Sequence, residues 1–512
     1  MKKLTTALIA IMLLAPFAFS GGIVTNTNQS AAWARYFSRY STLEIDAVYF
    51  NPAGLTKMND GFHFSLNNQS IFQTWTINND YDLLNTDEFI GKVKAPLFPS
   101  IYGSYKIGKF AISIGVNPIG GGGSSEFEKG IPSVELGIAS LPAMMAALGA
   151  TGAYSYNSSL KGSSVYFGIQ AGLSYEINDM ISVFGGGRYV MVNNEYEGSI
   201  NDISLATATA PLTNASVTAN ADQFQGGGDA MQPIIDNGGG TLTFFQLEAL
   251  SIITPAERAQ MEGGLLALGI PQAQIDVMEI QQSQGAYYGA ATSMYTAAGA
   301  LADQKLDAKQ TGSGFTPIIG LNLSFMEGRL NVGLKYEFIT KLELTNETKH
   351  DIVTDTEGNT MFPDGAKVHA DIPAYLSGGV TYRLSDALQL SGGFEYHFDK
   401  NVNWDGREEF IDNNFVSMNF SAQYDISEKF LVSGSYSYGK TGVTDDYHSD
   451  LSHSLSSSSI GFGGAWNITE KIQLNLGYTM VFYQDDDVVS VGYTTNYDRE
   501  TKIIAAGVNF SF

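Results

Sequence analysis

The chain of 512 residues sets 52 Asp and Glu against 28 Lys and Arg, for a net charge of -24, and contains no cysteine. That balance excludes a nucleic-acid partner, because no basic patch exists to neutralise phosphates. Without cysteine there is no disulfide, no thiol chemistry and no lipoprotein anchor on an N-terminal cysteine. Only 16% of residues are charged, beside 56 Gly, 30 Phe and 27 Tyr. A transmembrane barrel predicts this composition, with aromatic girdles, a lipid-facing apolar band and small or polar residues inside.

Residues 1–20 read as a secretory signal peptide: Lys2 and Lys3, an apolar run from Leu4 to Phe19, and small Ala18 and Ser20 before a cleavage at Gly21. No later stretch approaches 18 consecutive apolar residues, so a transmembrane helix is not expected. Residues 21–60 lack clean alternation. From Gly61 the period is two, as in strands whose alternate side chains face opposite sides of a sheet. In the last strand Lys502, Ile504, Ala506, Val508, Phe510 and Phe512 share one face, against Thr501, Ile503, Ala505, Gly507, Asn509 and Ser511. The small, polar face suits a lumen and the larger face suits lipid.

Fourteen strands are expected, starting near residues 61, 97, 109, 163, 180, 315, 329, 368, 387, 415, 430, 454, 472 and 501. Six connections are very short, as at Lys106–Lys109, Glu176–Met180 and Ile468–Lys471. The long ones fall between them, roughly at 79–96, 119–162, 200–314, 343–367, 399–414, 439–453 and 483–500. Strict alternation places all short turns at one rim and all long loops at the other. The fold class is therefore an all-β transmembrane barrel of about fourteen antiparallel strands, 61–512, in a Gram-negative outer membrane with its short turns in the periplasm. The segment 200–314 is rich in Ala, Gln and Met and reads as a partly helical extracellular insertion. Thr254-Pro255-Ala256-Glu257 has a helix start's cap, N1 proline and N3 glutamate. Ile270-Pro271 opens a second helix, and Ala286–Lys305 forms a third. The glycine runs Gly120–Gly123, Gly226–Gly228 and Gly238–Gly240 read as flexible joints.

No metal or cofactor is expected. The six histidines, at 63, 350, 369, 397, 448 and 453, lack metal-ligand spacing. His448 and His453 share a loop with Asp445, Asp446 and Asp450, a solvated loop or a weak cation site. Asp485-Asp486-Asp487 reads as a solvated acidic tip, or as a holder of cations that bridge to lipopolysaccharide. No Gly-x-Ser-x-Gly elbow stands between a strand and a helix, and the chain is not read as an enzyme.

Just ahead of the first strand lies Asn51-Pro52-Ala53-Gly54-Leu55, a turn ending a segment well placed to fill the lumen. The stretch from Arg35 to Met58, with Asp46, Ala47 and Asn51 through Leu55, resembles the N-terminal hatch of the FadL-type long-chain fatty-acid and hydrocarbon transporters. Asp371-Ile372-Pro373-Ala374, followed by Gly378–Tyr382, is similar to the pattern of a late strand in that family. The resemblance implies fourteen strands, residues 21–60 as the hatch, and passive transport of hydrophobic or amphipathic small molecules. Capture at outer loops is followed by a lumenal pocket beside the hatch and lateral exit at a kinked third strand. It also implies that Asp46 and Asn51, Pro52, Ala53, Gly54 and Leu55 serve gating, with Asn51, Pro52 and Ala53 beside a kink within Phe110–Pro118. The insertion 200–314 exceeds what the family places in a loop.

Alternation puts Arg188 on an inward face with Phe184, Val190 and Val192, a cation on an apolar stripe suited to an anionic head group or, alternatively, a structural lumen charge bonded to the hatch. Lys335 also points inward, beside Glu337, as a second candidate. Arg383 lies near a short turn and is expected to fix the hatch. The partners expected are a hydrophobic small molecule, long-chain fatty acids first, together with lipopolysaccharide and outer-membrane lipid, and the chain is expected to be a monomer. A porin open to water and a surface adhesin are the other readings.

Overall fold

A computed structural model describes residues 23–353 and 359–512; the signal-peptide reading lies outside the described residues. Two compact units emerge, one built from the residues up to Ser133, Ser159–Gly198 and Lys305–Phe512, the other from Val134–Ser158 and Ser199–Gln304.

The first unit is a closed antiparallel barrel. Its wall strands are β1 (Gly61–Asn79), β2 (Glu88–Ile107), β3 (Phe110–Phe127), β4 (Ala150–Asn178) and β5 (Ile181–Thr207). After the two-residue β6 (Leu212–Thr213) come β7 (Gln304–Phe325) and β8 (Leu330–Glu337). Beyond β9 (Glu343–His350) and β10 (Lys367–His369) the wall resumes with β11 (Tyr375–Arg383), β12 (Leu388–His397), β13 (Val416–Asp425), β14 (Phe430–Lys440), β15 (Ser457–Thr469) and β16 (Ile472–Tyr483). Past β17 (Asp486–Ser490) it ends with β18 (Tyr493–Ser511). The short β6, β9, β10 and β17 only extend neighbours, which leaves fourteen wall strands. The ring closes because β1 pairs with β18 from His63↔Ser511 to Asn79↔Thr495. Closure removes the exposed edges that an open sheet would present.

The alternating faces sort as expected. In β18 Lys502, Ile504 and Ala506 are exposed, while Thr501, Ile503 and Ala505 are buried. Large apolar side chains such as Leu66, Ile112, Ile114 and Phe420 lie exposed on the outer face. Exposed aromatics ring the short-turn rim, among them Phe62, Tyr105, Phe110, Tyr424, Phe430 and Phe512. Such a belt fits the membrane–water boundary, where a ring offers an apolar body and a polarisable edge. Among the described residues no helix is long and apolar enough to cross a membrane.

Several boundaries moved. β4 and β5 reach 29 and 27 residues, β7 begins at Gln304 and β2 at Glu88, so the long connections are shorter than alternation suggested. Gly120–Gly123, read as a joint in a loop, lies within β3. Gly226–Gly228 lies inside the helix Asn214–Ile234, where Gly227 and Gly228 leave room for the rings of Tyr287 and Tyr288. Glycine runs mimic flexible joints, but here packing against tyrosines requires them.

The second unit is mainly helical. Thr254 caps Pro255–Ala267 through a reciprocal capping box with Glu257, as the motif predicts. The helix at Ile270-Pro271 is a single turn, Gln272–Ile275, and the third runs from Ile280 to Ala300. Phe244–Ala249 adds a helix that the sequence reading lacked. Met231, Phe244, Leu247, Leu265, Ile280 and Tyr287 form a buried apolar core of the unit's own.

Candidate functional site

Residues 23–60 fill the barrel lumen and reach the whole wall. The segment is mostly irregular, with short helices at Ala31–Arg35 and Ala47–Phe50 and a 3-10 turn at Pro52–Lys57. Irregular backbone carries carbonyls that need partners once buried. The wall supplies them: Ser100 and Tyr102 donate to the Gln29 carbonyl at 2.7 and 2.6 Å. Gln170 donates to Val48, Ser174 to Pro52 and Asn331 to Ser41, at 2.6 to 2.7 Å. Ser391, Ser435 and Thr479 do the same for Ser38, Arg35 and Ala34. This demand explains why the inner face is rich in Ser, Asn, Gln and Thr. Where donors are not needed, the wall is glycine: a Cβ on Gly333 would collide with the Tyr40 carbonyl, and one on Gly477 with Ala34.

The motif Asn51–Leu55 is wholly buried. Asn51 donates through Nδ2 to the Thr42 carbonyl at 3.0 Å and to Asn322 at 2.8 Å, tying the turn to β7. The Pro52 carbonyl meets β4 through Ser174, and Ala53 packs with Phe184 and Ile318. A Cβ on Gly54 would stand 2.9 Å from the Thr42 carbonyl, so only glycine fits. Asp46 accepts from Ser30 Oγ at 2.8 Å and from Arg39 Nε at 2.9 Å, which clamps the segment internally.

Arg188, Lys335 and Glu337 come together. Arg188 forks onto both Glu337 oxygens at 2.6 and 3.0 Å and donates to Gln170 at 2.6 Å. Lys335 reaches the other side of the same carboxylate at 2.6 Å and the Tyr49 carbonyl at 2.7 Å, with its ammonium 4.3 Å from the Tyr49 ring centroid. Both cations thus share one buried anion and pin the N-terminal segment. Arg383 does not join them. It stands at the short-turn rim, 42% exposed, with the Asp386 carbonyl at 3.1 Å and Asp425 at 3.6 Å.

The seam between β2 and β3 is broken. β2 pairs with β3 from Gly91↔Phe127 to Lys94↔Ser124 and again from Ile101↔Val116 to Ile107↔Phe110, with no regular ladder between. On its other side β3 keeps its partner β4 only through two register shifts, at Pro118/Gly120 and Gly121/Gly123. The cause is in the sequence: Pro96, Pro99 and Pro118 lack the N–H that a ladder requires, and Gly120–Gly123 bends freely. The interruption runs from Asn117 to Gly123, whereas Phe110–Val116 is regularly paired, so it overlaps the expected Phe110–Pro118 only at Asn117 and Pro118.

Residues 26–29, not the Asn51–Leu55 turn, take the free carbonyls there. Asn26 N–H donates to Ile119 at 2.7 Å, Asn26 Nδ2 to Gly121 at 2.6 Å, and Gln29 Nε2 to Pro118 at 2.9 Å. Asn117 donates back to Gln29 Oε1 at 2.6 Å, and Asn28 is paired with Gln69 of β1 at 3.0 Å. Sequence reasoning missed these residues. Their signal was the amide-rich run Asn26-Thr27-Asn28-Gln29, since amides both donate and accept where a strand partner is absent.

Two cavities beside residues 25–40 each have room for about one water molecule. A cavity of about 760 Å³ lies at the short-turn end between residues 43–45, 57–59 and the wall residues His63, Gln473, Asn509 and Ser511. Among the described residues no three His, Cys, Asp or Glu side chains converge to hold a metal. His448 instead pairs with Asp486 at 3.1 Å, and Asp450 accepts from the Ser133 N–H at 2.7 Å.

On the long-loop side, Asp399 is buried and accepts from the Phe415 N–H at 3.0 Å, and burial pushes its carboxyl up to about 7. A raised carboxyl stabilises the fold fully below its unfolded value near 4, and that contribution is lost as pH rises through about 7. Amide exchange across 398–415 is therefore expected to be faster at pH 8 than at pH 5, after correction for intrinsic exchange. An Asp399→Asn variant should abolish the difference.

No family model matches the chain, and no curated protein matches it. Solved structures do. A Pseudomonas aeruginosa FadL homologue aligns over 96% of this chain and 100% of its own, with a TM-score of 0.59 at 11% identity. The fold is that of the FadL-type barrels. The Pseudomonas putida toluene transporter TodX aligns over 96% of this chain and 100% of its own, with a TM-score of 0.50 at 11% identity. A TodX mutant described as a monoaromatic hydrocarbon channel gives 0.51 over 94% of this chain and 99% of its own, again at 11% identity. At such identity the FadL-type likeness concerns the fold.

Proposed function

We propose that the chain is a passive outer-membrane transporter of hydrophobic or amphipathic small molecules, with residues 21–60 as its hatch. The observation that carries this reading is the broken β2–β3 seam stoppered by Asn26–Gln29. A solute-filled water pore needs no gap in its wall. A molecule that prefers hydrocarbon does, because lateral exit delivers it to the bilayer without crossing the polar rim. The FadL-type fold supports the same class, since its solved examples include a toluene transporter.

In this reading the helical insertion 200–314 is extracellular, the barrel stands in a Gram-negative outer membrane, and one chain suffices for the route. Solute enters from the loops, and the segment Val24–Gln29 withdraws from β3. The remaining hatch, including Asn51–Leu55 and the Asp46–Arg39 clamp, stays anchored and sets the floor of the route. Lys335 and Arg188 hold that floor in place through Tyr49 and Glu337. Long-chain fatty acids belong to the class that the family resemblance implies.

The rival is a porin open to water. In planar bilayers the account predicts no steady open-pore current above that of lipid alone, because the hatch bonds to strands around the wall and crosses the lumen. A stable ohmic conductance from the intact chain would overturn it.

A further inference from the structure

The two water-sized cavities are separated by the segment that the proposed function sets in motion. Thr27 lines both. Thr25 Oγ1 lies 3.2 Å from His397 Nδ1, and Glu395 takes the hydroxyls of Tyr40 and Tyr375, so the 25–27 segment and the end of β12 form the partition. Withdrawal of Val24–Gln29 would join the cavities into one chamber.

The chemistry of that chamber is specific. The first cavity is walled by the rings of Trp33, Phe37, Tyr40 and Phe415, and the second by Tyr49, Tyr375 and His397. Aliphatic lining is confined to Ile119, Ile372 and Pro373. Flat rings and hydroxyls surround the space, with no long aliphatic groove to take an acyl tail. The lining also holds one strong cation, Arg188, and two carboxyl groups, Glu337 and Glu395. Arg188 is forked onto Glu337, so an incoming carboxylate finds no free positive charge and would have to break a buried ion pair. Of the described residues lining these two cavities, three carry a buried polar atom without a partner: Arg188 Nε, His397 Nε2 and Asn419 Oδ1. One is a donor, one an acceptor and the third either, which is what a neutral hydroxyl or carbonyl group requires.

We infer that the chamber selects a neutral aromatic molecule bearing a hydroxyl or carbonyl group, over a fatty-acid or aromatic carboxylate anion. The inference rests on the transport reading above and names its substrate class. Ring stacking supplies contact and the unpartnered atoms supply orientation.

Equilibrium dialysis of the purified full chain in detergent tests it with four probes at pH 8: p-cresol, toluene, 4-methylbenzoate and oleate. The expected result is p-cresol bound at least about tenfold more tightly than 4-methylbenzoate or oleate. An Asn419→Leu variant should lose about fivefold of the preference for p-cresol over toluene, with toluene binding retained as proof of an intact chamber. Anions bound as tightly as p-cresol, or a preference unmoved by both Asn419→Leu and His397→Phe, would overturn the inference. Cellular uptake of the same probes separates the two levels. Uptake of oleate or toluene without p-cresol preference sinks the substrate class alone, whereas no uptake of any probe sinks the transport reading with it.

Discussion

Cross-linking Asn28→Cys to Gln69→Cys with a short bifunctional methanethiosulfonate is expected to cut uptake of hydrophobic compounds about tenfold, with recovery on reduction. The two native amides lie 3.0 Å apart, joining the stopper segment to β1 next to the broken seam. A chain without cysteine makes the introduced pair the one site of reaction. The contrast is a lock elsewhere on the hatch. Ser41 Oγ and Thr381 Oγ1 are 2.7 Å apart, so a Ser41→Cys/Thr381→Cys disulfide is within reach. This lock should leave uptake within about twofold, because the account moves residues 24–29 and keeps the remainder fixed. Equal loss from both locks would show that the whole hatch must move, and loss from the second alone would reverse the assignment.

Glu337→Gln should produce the largest loss of stability of any single substitution in the lumen, about 3–5 kcal/mol. The carboxylate serves Arg188 and Lys335 together, at 2.6 Å from each, and all three side chains are buried. Removing it leaves two buried cations without the counter-charge they share. Replacing all three by Met, Met and Leu should instead fall within about 1 kcal/mol of the parent, since well-packed apolar groups often substitute for a buried ionic group at no net cost. Denaturant midpoints read both effects, provided the slope of the transition is unchanged. A single substitution as mild as the triple one would mean that solvent reaches the cluster.

Much of the barrel was legible because membrane strands obey a simple rule. Period-two alternation and the rhythm of short and long connections depend on local side-chain order, and the short turns they predict at Lys106–Lys109, Glu176–Met180 and Ile468–Lys471 contain the observed turns at Gly108–Lys109, Asp179–Met180 and Glu470–Lys471. What failed was residue type without context. Gly120–Gly123 and Pro96 read as loop because proline and glycine usually interrupt strands; here they interrupt the pairing while the strands continue. The site was less legible. Alternation put Arg188 and Lys335 on the inner face, as found, but it carries no information on which partner waits across the lumen. The partner of Lys335, Glu337, is two residues along the same strand; the contact of both cations with Tyr49 crosses well over a hundred positions of sequence. Asn26 and Gln29 were invisible as a site, because their role depends on carbonyls left free by a seam that only the folded wall reveals.

The central claim is that hydrophobic molecules cross the outer membrane through this chain. The direct measurement is the initial rate at which Gram-negative cells lacking other such channels take up a radiolabelled hydrophobic compound, toluene or oleate, with and without the chain at verified outer-membrane levels. The account predicts a rate that rises with the amount of folded barrel and falls when the 28–69 cross-link is made. A rate equal to that of cells without the chain, from barrels shown to be folded and inserted, would contradict it.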